Sequence, residues 1–161
     1  MAFILITNDQ HQLSLSDFTV PAIKIARFRL SQGVYPIYSR TANRDKFKIN
    51  DKCIVYIAGK SEYRQNFVSF FTIKSIRELK YPKNNTEEDI LKIGAPMPIK
   101  NLIFEPTDIL NPIFVKNVMK KLEWTKNAKK KWGSLFMGGV KKISNKDSEI
   151  LINLLKRKRK K

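Results

Sequence analysis

The chain has 161 residues and carries 32 Lys+Arg against 14 Asp+Glu, a formal net charge of +18. A domain of that length buries about two-thirds of its unfolded surface, so folding requires neither disulfides nor metal, and a hydrophobic content of 42% excludes a disordered chain. A folded body with this charge points to a polyanionic partner, either nucleic acid or an anionic membrane surface.

Taken in order, Ala2–Thr7 is an apolar run of strand length bounded by Asn8-Asp9. It lacks a basic n-region and is too short for a signal peptide, and no segment approaches the ~18 apolar residues of a membrane helix. The expectation is a soluble, cytoplasmic protein without membrane attachment. His11, the single histidine, cannot build a multi-histidine metal site. Pro21 suits a first helical turn. Ala22–Leu30 fits neither period cleanly because Arg27 and Arg29 flank Phe28, so helix and strand both stay open; Gly33 ends the element. Val34–Arg44 reads as a loop. Asn50-Asp51 supplies a turn into a strand, Cys53–Ala58, and Phe67–Ile73 forms a second strand, together an antiparallel hairpin. Cys53, the lone cysteine, reads as a buried, inert thiol and excludes a disulfide framework or a Cys-rich zinc site.

Beyond a break at 81–85, Thr86–Asp89 looks like a helix start with Gly94 closing it. Ile99–Glu105 reads as a strand, and Asn111-Pro112 as the start of a helix to about Leu122. Trp124–Trp132 encloses a basic patch and is followed by a Gly-rich turn. Ser144 caps a final helix whose Ile150, Leu151, Leu154 and Leu155 share one face, and Lys156–Lys161 is a basic tail. The whole reads as one α+β domain, residues 1–155, built on a curved sheet or small barrel with flanking short helices, plus the tail 156–161.

Catalytic material is sparse. There is no Walker loop, no HExxH, no GxSxG and no second histidine. Asp51, Glu62 and Lys60 are the residues a small metal-dependent nuclease would draw on, without diagnostic spacing, and no catalytic residue, metal or cofactor is expected. Nucleic-acid binding is better supplied, because Lys and Arg contact phosphates while aromatic faces stack on bases. Two segments interleave these types: Tyr35–Arg44, with Tyr35, Tyr38, Arg40 and Arg44, and Trp124–Phe136, with Lys126, Lys129, Lys130 and Lys131 between the tryptophans. Trp124 reads as a core anchor; for Trp132, core and pocket stay open.

The run Asn127-Ala128-Lys129-Lys130-Lys131-Trp132-Gly133-Ser134-Leu135-Phe136-Met137-Gly138-Gly139-Val140, followed by Ile143-Ser144-Asn145-Lys146-Asp147, resembles the C-terminal signature of EVE-domain proteins: a basic K-K-x-W, then F-x-G-x, then a closing I-x-x-x-D helix start. Lys48–Tyr56 is similar to that family's turn and strand, with Asn50 in place of its turn glycine, and Tyr35-Pro36 stands where it usually carries Trp-Gly. The resemblance spans nearly the whole chain. It implies a PUA-like fold, related to the YTH and ASCH domains, and a concave pocket for a flipped nucleobase, modified or not. Under it, Tyr35, Tyr38, Ser39, Thr41, Tyr56, Trp132 and Phe136 are the expected base-pocket residues. Arg40, Arg44, Lys129, Lys130, Lys131, Lys156 and Arg157 are the expected phosphate contacts on DNA or RNA. An RNA-binding module that reads no base modification is the alternative.

Overall fold

In a computed structural model of the chain, the described residues are 1–12, 18–39, 41–80, 98–126, 132–137 and 139–157, with the side chains of 10–12, 18, 19, 132 and 134 set aside. The element order is β1 (Ala2–Thr7), β2 (Gln10–Gln12), β3 (Phe18–Val20), α1 (Ala22–Gln32), β4 (Val34–Tyr38), β5 (Lys52–Ile57), β6 (Asn66–Thr72), β7 (Ser75–Glu78), β8 (Pro98–Ile103), β9 (Ile113–Phe114), β10 (Val140–Ile143) and α2 (Asn145–Lys156), with 3-10 turns at Val115–Asn117, Met119–Lys121 and Trp132–Phe136.

β1 and β5 are apolar at almost every position because both faces of their sheet are covered. That sheet runs β10-β1-β5-β6-β9. β1 pairs parallel to β5 and antiparallel to β10, and the β5–β6 hairpin expected from the sequence forms, with a register shift between Val55 and Tyr56. A second sheet runs β4-β8-β7, and β2 pairs with β3. The two-residue alternation of each strand then divides the interior. Phe3, Leu5, Cys53, Val55 and Ile57 pack with Ala22, Ile23, Ala26 and Leu30 of α1 and with Tyr35, Ile37 and Leu102 of the second sheet. Ala2, Ile4, Ile54, Tyr56 and Phe67 pack on the other face against Leu151, Ile152 and Leu155 of α2.

Ala22–Gln32 resolves as a helix. Its buried residues, Ala22, Ile23, Ala26, Arg29 and Leu30, fall at helical spacing, and the charged one among them hides the period in the sequence. Pro21 is the N-cap residue, one place before the first helical turn, and it has no capping side chain. The cap comes instead from across the chain: Asp9 Oδ1 accepts the Ala22 N–H at 2.8 Å, serving one of the orphan donors of a helix start. Gly33 ends the helix in the left-handed region, φ 66°. A Cβ there would stand 2.4 Å from the Phe104 carbonyl oxygen, so neither the conformation nor the space admits a side chain.

Two expectations are corrected. Residues 34–38 are not a loop but strand β4, antiparallel to β8. Residues 111–122 form no α-helix: Ile113 and Val115 are buried with Phe114 outward between them, a strand-like alternation that pairs with β6 before the 3-10 turns. The expected helix at 86–94 lies outside the described residues. Asn50 adopts φ 75°, a conformation Asn accepts better than other non-glycine side chains.

Cys53 is fully buried, and that burial, with the Asp51 carboxylate adding in the same direction, pushes its thiol well above the ordinary 9.0. Because the thiolate is the nucleophile, native protein at pH 8 should leave Cys53 unlabelled by iodoacetamide, and protein unfolded in guanidinium should label fully. Native labelling at the rate of a free thiol would contradict the packing. The unfolded thiol ionises first as pH rises through 9.0, so the contribution is present below that value and lost above it.

Candidate functional site

Pro36 lacks an N–H, which an interior strand would require, but among the described residues β4 is an edge strand bonded only to β8. Alternation along β4 sends Tyr35 and Ile37 into the core and leaves Val34, Pro36 and Tyr38 half-buried. Between this edge and the end of β1 lies a cleft of about 160 Å³ whose walls include Thr7, Asn8, Arg29, Tyr35, Tyr38, Thr41 and Gly139. A cavity of about 150 Å³ takes one benzene-sized ring, so this cleft suits a single heterocycle.

Its walls are tied to one another. Thr7 Oγ1 and the Tyr35 hydroxyl are hydrogen-bonded at 2.9 Å. Ile6 N–H donates to the Gly139 carbonyl at 2.8 Å, and Asn43 Nδ2 donates to the Val140 carbonyl at 3.1 Å. Just beyond β1, Asp9 accepts from Ala22 N–H and, through Oδ2, from Lys60 N–H at 3.1 Å. Gly59 admits that approach because a Cβ there would meet the Asp9 carboxylate at 2.6 Å, and its φ is +84°. The cleft is thus held before any ligand enters.

Arg29 is its electrostatic feature. It is only 8% exposed, its guanidinium carbon stands 4.8 Å from the Tyr35 ring centroid, and among the described residues no carboxylate pairs with it. By contrast, Lys100 bridges Asp45 and Glu78 at 3.8 and 3.6 Å. A buried cation is normally paired, so Arg29 offers an uncompensated donor fork beside the cleft. It also lines a second cavity of about 430 Å³ between α1 and β4, which shares Arg29, Pro36 and Tyr38 with the first and adds Lys24, Ile25, Phe28 and Gln32.

Of the expected pocket residues, Tyr35, Tyr38 and Thr41 meet in the cleft, and Ser39, exposed, follows Tyr38. Tyr35 contributes chiefly its hydroxyl, since the ring is buried against Phe71. Tyr56 and Phe136 are not brought there. Their rings stack at 4.0 Å in the α2-side core, where Trp124 meets Phe136 edge-on at 5.0 Å. The reason is parity: Val55 and Ile57 face the α1 side, so Tyr56 faces α2, and burial pushes its hydroxyl up to about 12. Trp124 is the core anchor its sequence suggests.

Of the expected phosphate contacts, Arg44 is exposed, with Asp45 at 3.9 Å. Lys156 and Arg157 line a separate depression with Phe70 and Leu155, where Lys156 Nζ lies 5.5 Å from the Phe70 ring. Arg40, Lys129, Lys130, Lys131 and the Trp132 side chain lie outside the described residues. Sequence reasoning missed Arg29, Thr7, Asn8 and Gly139. The available signal for Arg29 was a cation on the buried stripe of a helix.

No protein-family model matches the chain, and no curated protein matches it in sequence. Among solved structures the chain is similar to the N-terminal domain of Staphylothermus marinus McrB, with a TM-score of 0.52 and 13% sequence identity over 94% of this chain and 93% of that chain. The likeness is one of fold and runs nearly end to end; the mixed α+β architecture expected from the sequence is the one observed.

Proposed function

We propose that the chain is a non-enzymatic nucleic-acid reader whose cleft takes one flipped nucleobase, modified or not, while basic residues around it hold the backbone. The observation that carries this is the one-ring cleft itself, bordered by the half-buried ring of Tyr38 and by the buried Arg29, which pairs with no carboxylate among the described residues. Flipping costs a few kcal/mol of unstacking, offset by stacking and edge hydrogen bonds. The net charge of +18 supplies the sequence-independent attraction, and the EVE-like motifs support the same reading. A nuclease is less favoured: Asp51 is occupied structurally, accepting the Lys48 N–H at 2.8 Å and pairing with the Met1 ammonium at 3.2 Å. Among the described residues no three His, Cys, Asp or Glu side chains cluster as metal ligands. Nor, among them, is any helix long and apolar enough to cross a membrane.

The test is fluorescence anisotropy with oligonucleotides of about twelve nucleotides, as single- and double-stranded DNA and as RNA, carrying cytosine, 5-methylcytosine, adenine or N6-methyladenine at one central position. Tyr38→Ala should weaken the best-bound oligonucleotide by about 5- to 30-fold, a stacking loss of about 1–2 kcal/mol, and weaken its poorly bound twin less. Trp132→Ala tests the segment singled out by the family resemblance in the same way. Removal of 157–161 should weaken every oligonucleotide alike and flatten the salt dependence. Equal losses on all central bases in Tyr38→Ala would move the assignment to an RNA- or DNA-binding module without base reading.

A further inference from the structure

Phe28 is the most exposed large hydrophobic side chain among the described residues, at 68%. A lone surface phenylalanine is ordinary; its setting here is not. Lys24, Phe28 and Gln32 recur every four residues along one exposed stripe of α1, with Arg27 beside them. The helix contains no acidic residue. Lys24, Phe28 and Gln32 also line the 430 Å³ cavity, which shares part of its wall, Arg29, Pro36 and Tyr38, with the base cleft. An aromatic face between cations, continuous with a site for one base, matches the chemistry of single-strand binding, in which bases stack on aromatic rings while cations follow the backbone.

We propose that this face of α1 seats the nucleotide adjacent to the flipped one, with Phe28 as its stacking surface and Lys24 and Arg27 on the neighbouring phosphates. This rests on the reading of the cleft given above. The occupant is nucleic acid rather than protein because α1 carries Lys24 and Arg27 and no acidic residue of its own, and its cavity shares lining residues with the cleft, so consecutive nucleotides of one strand reach both cavities. Specificity would then extend past one base, through stacking strength rather than through hydrogen bonds.

The test uses the single-stranded oligonucleotides above, and versions in which the nucleotide on either side of the central base is replaced by an abasic tetrahydrofuran. Phe28→Ala should weaken binding of the intact oligonucleotide by about fivefold or more, and Phe28→Trp should retain it. With the neighbouring base removed, wild type and Phe28→Ala should bind alike. If Phe28→Ala binds the intact oligonucleotide like wild type while Tyr38→Ala is weakened, the platform is overturned and the cleft stands. If neither substitution has an effect, both are overturned. A change of apparent mass on a sizing column in Phe28→Ala with DNA affinity unaltered would assign the face to a second copy of the chain and overturn the proposal. Because Phe28 is exposed, the thermal midpoint of Phe28→Ala should match that of wild type. If it falls instead, Phe28→Gln, tested below its own midpoint, takes the place of the alanine variant under the same criteria.

Discussion

Asp147→Ala should lower the unfolding free energy by about 3 kcal/mol and the thermal midpoint by about 6–12 °C, measured by calorimetry or far-ultraviolet dichroism. Asp147 is 1% exposed and sits in the first turn of α2, where its own N–H donates to the capping Ser144 Oγ at 3.1 Å. A capping box would turn the third-position carboxylate back onto the cap residue. Here the carboxylate reaches outward instead, accepting the Glu123 N–H through Oδ1 at 2.9 Å and the Trp124 N–H through Oδ2 at 3.0 Å. Removing it strands two backbone donors, each of which loses a charge-assisted bond worth about 1.5–3 kcal/mol, and deletes a negative charge where the helix macrodipole favours one. Asp147→Asn keeps one acceptor but turns an amide N–H toward a backbone N–H, so its loss should fall between wild type and alanine. An alanine variant melting within about 2 °C of wild type would show that the 123–124 turn is held by other means.

The same geometry gives a physical reason for Asp147 at this position. The aspartate that closes Ile143-Ser144-Asn145-Lys146-Asp147 is the clamp on the turn from which the chain enters the basic run ending at Trp132.

Where the interior follows a simple period, it was legible in the sequence. β1, the β5–β6 hairpin and α2 stand out because their apolar residues are uninterrupted or fall on one face. α1 did not, because Arg29 occupies a core-facing position, and β4 did not, because Pro36 reads as a breaker unless the strand is known to be an edge. The Asn111-Pro112 start signal lost to tertiary pairing of Ile113 and Phe114 with β6. The cleft follows the same pattern. Tyr35, Tyr38 and Thr41 are neighbours in sequence, whereas Thr7 and Gly139 come from β1 and the residue just before β10, strands that pair with each other in the other sheet and meet β4 through the Thr7–Tyr35 hydrogen bond. Aromatic identity alone does not separate Tyr38, on the cleft, from Tyr56, in the core; strand parity does, and parity requires the register.

Arg29→Leu should separate binding from stability. Affinity for the preferred oligonucleotide should fall by about 10- to 150-fold, the 1.5–3 kcal/mol of a charge-assisted hydrogen bond, while the unfolding free energy changes by no more than about 1 kcal/mol. The cation–π contact with Tyr35 is worth about 1 kcal/mol, but leucine removes the cost of holding a guanidinium 8% exposed with no carboxylate partner among the described residues. Apolar replacements of buried charges are often neutral or stabilising. Arg29→Lys keeps the charge without the planar fork, so an intermediate affinity would show that shape as well as charge is read. Thermal unfolding and anisotropy at two salt concentrations separate the terms: loss of a single phosphate contact lowers the salt slope by about one, whereas loss of a bond to a base edge leaves the slope unchanged. A leucine variant that binds like wild type would make Arg29 a packing residue; one that binds poorly and melts unchanged or higher would show that this buried charge is maintained for the ligand and not for the fold.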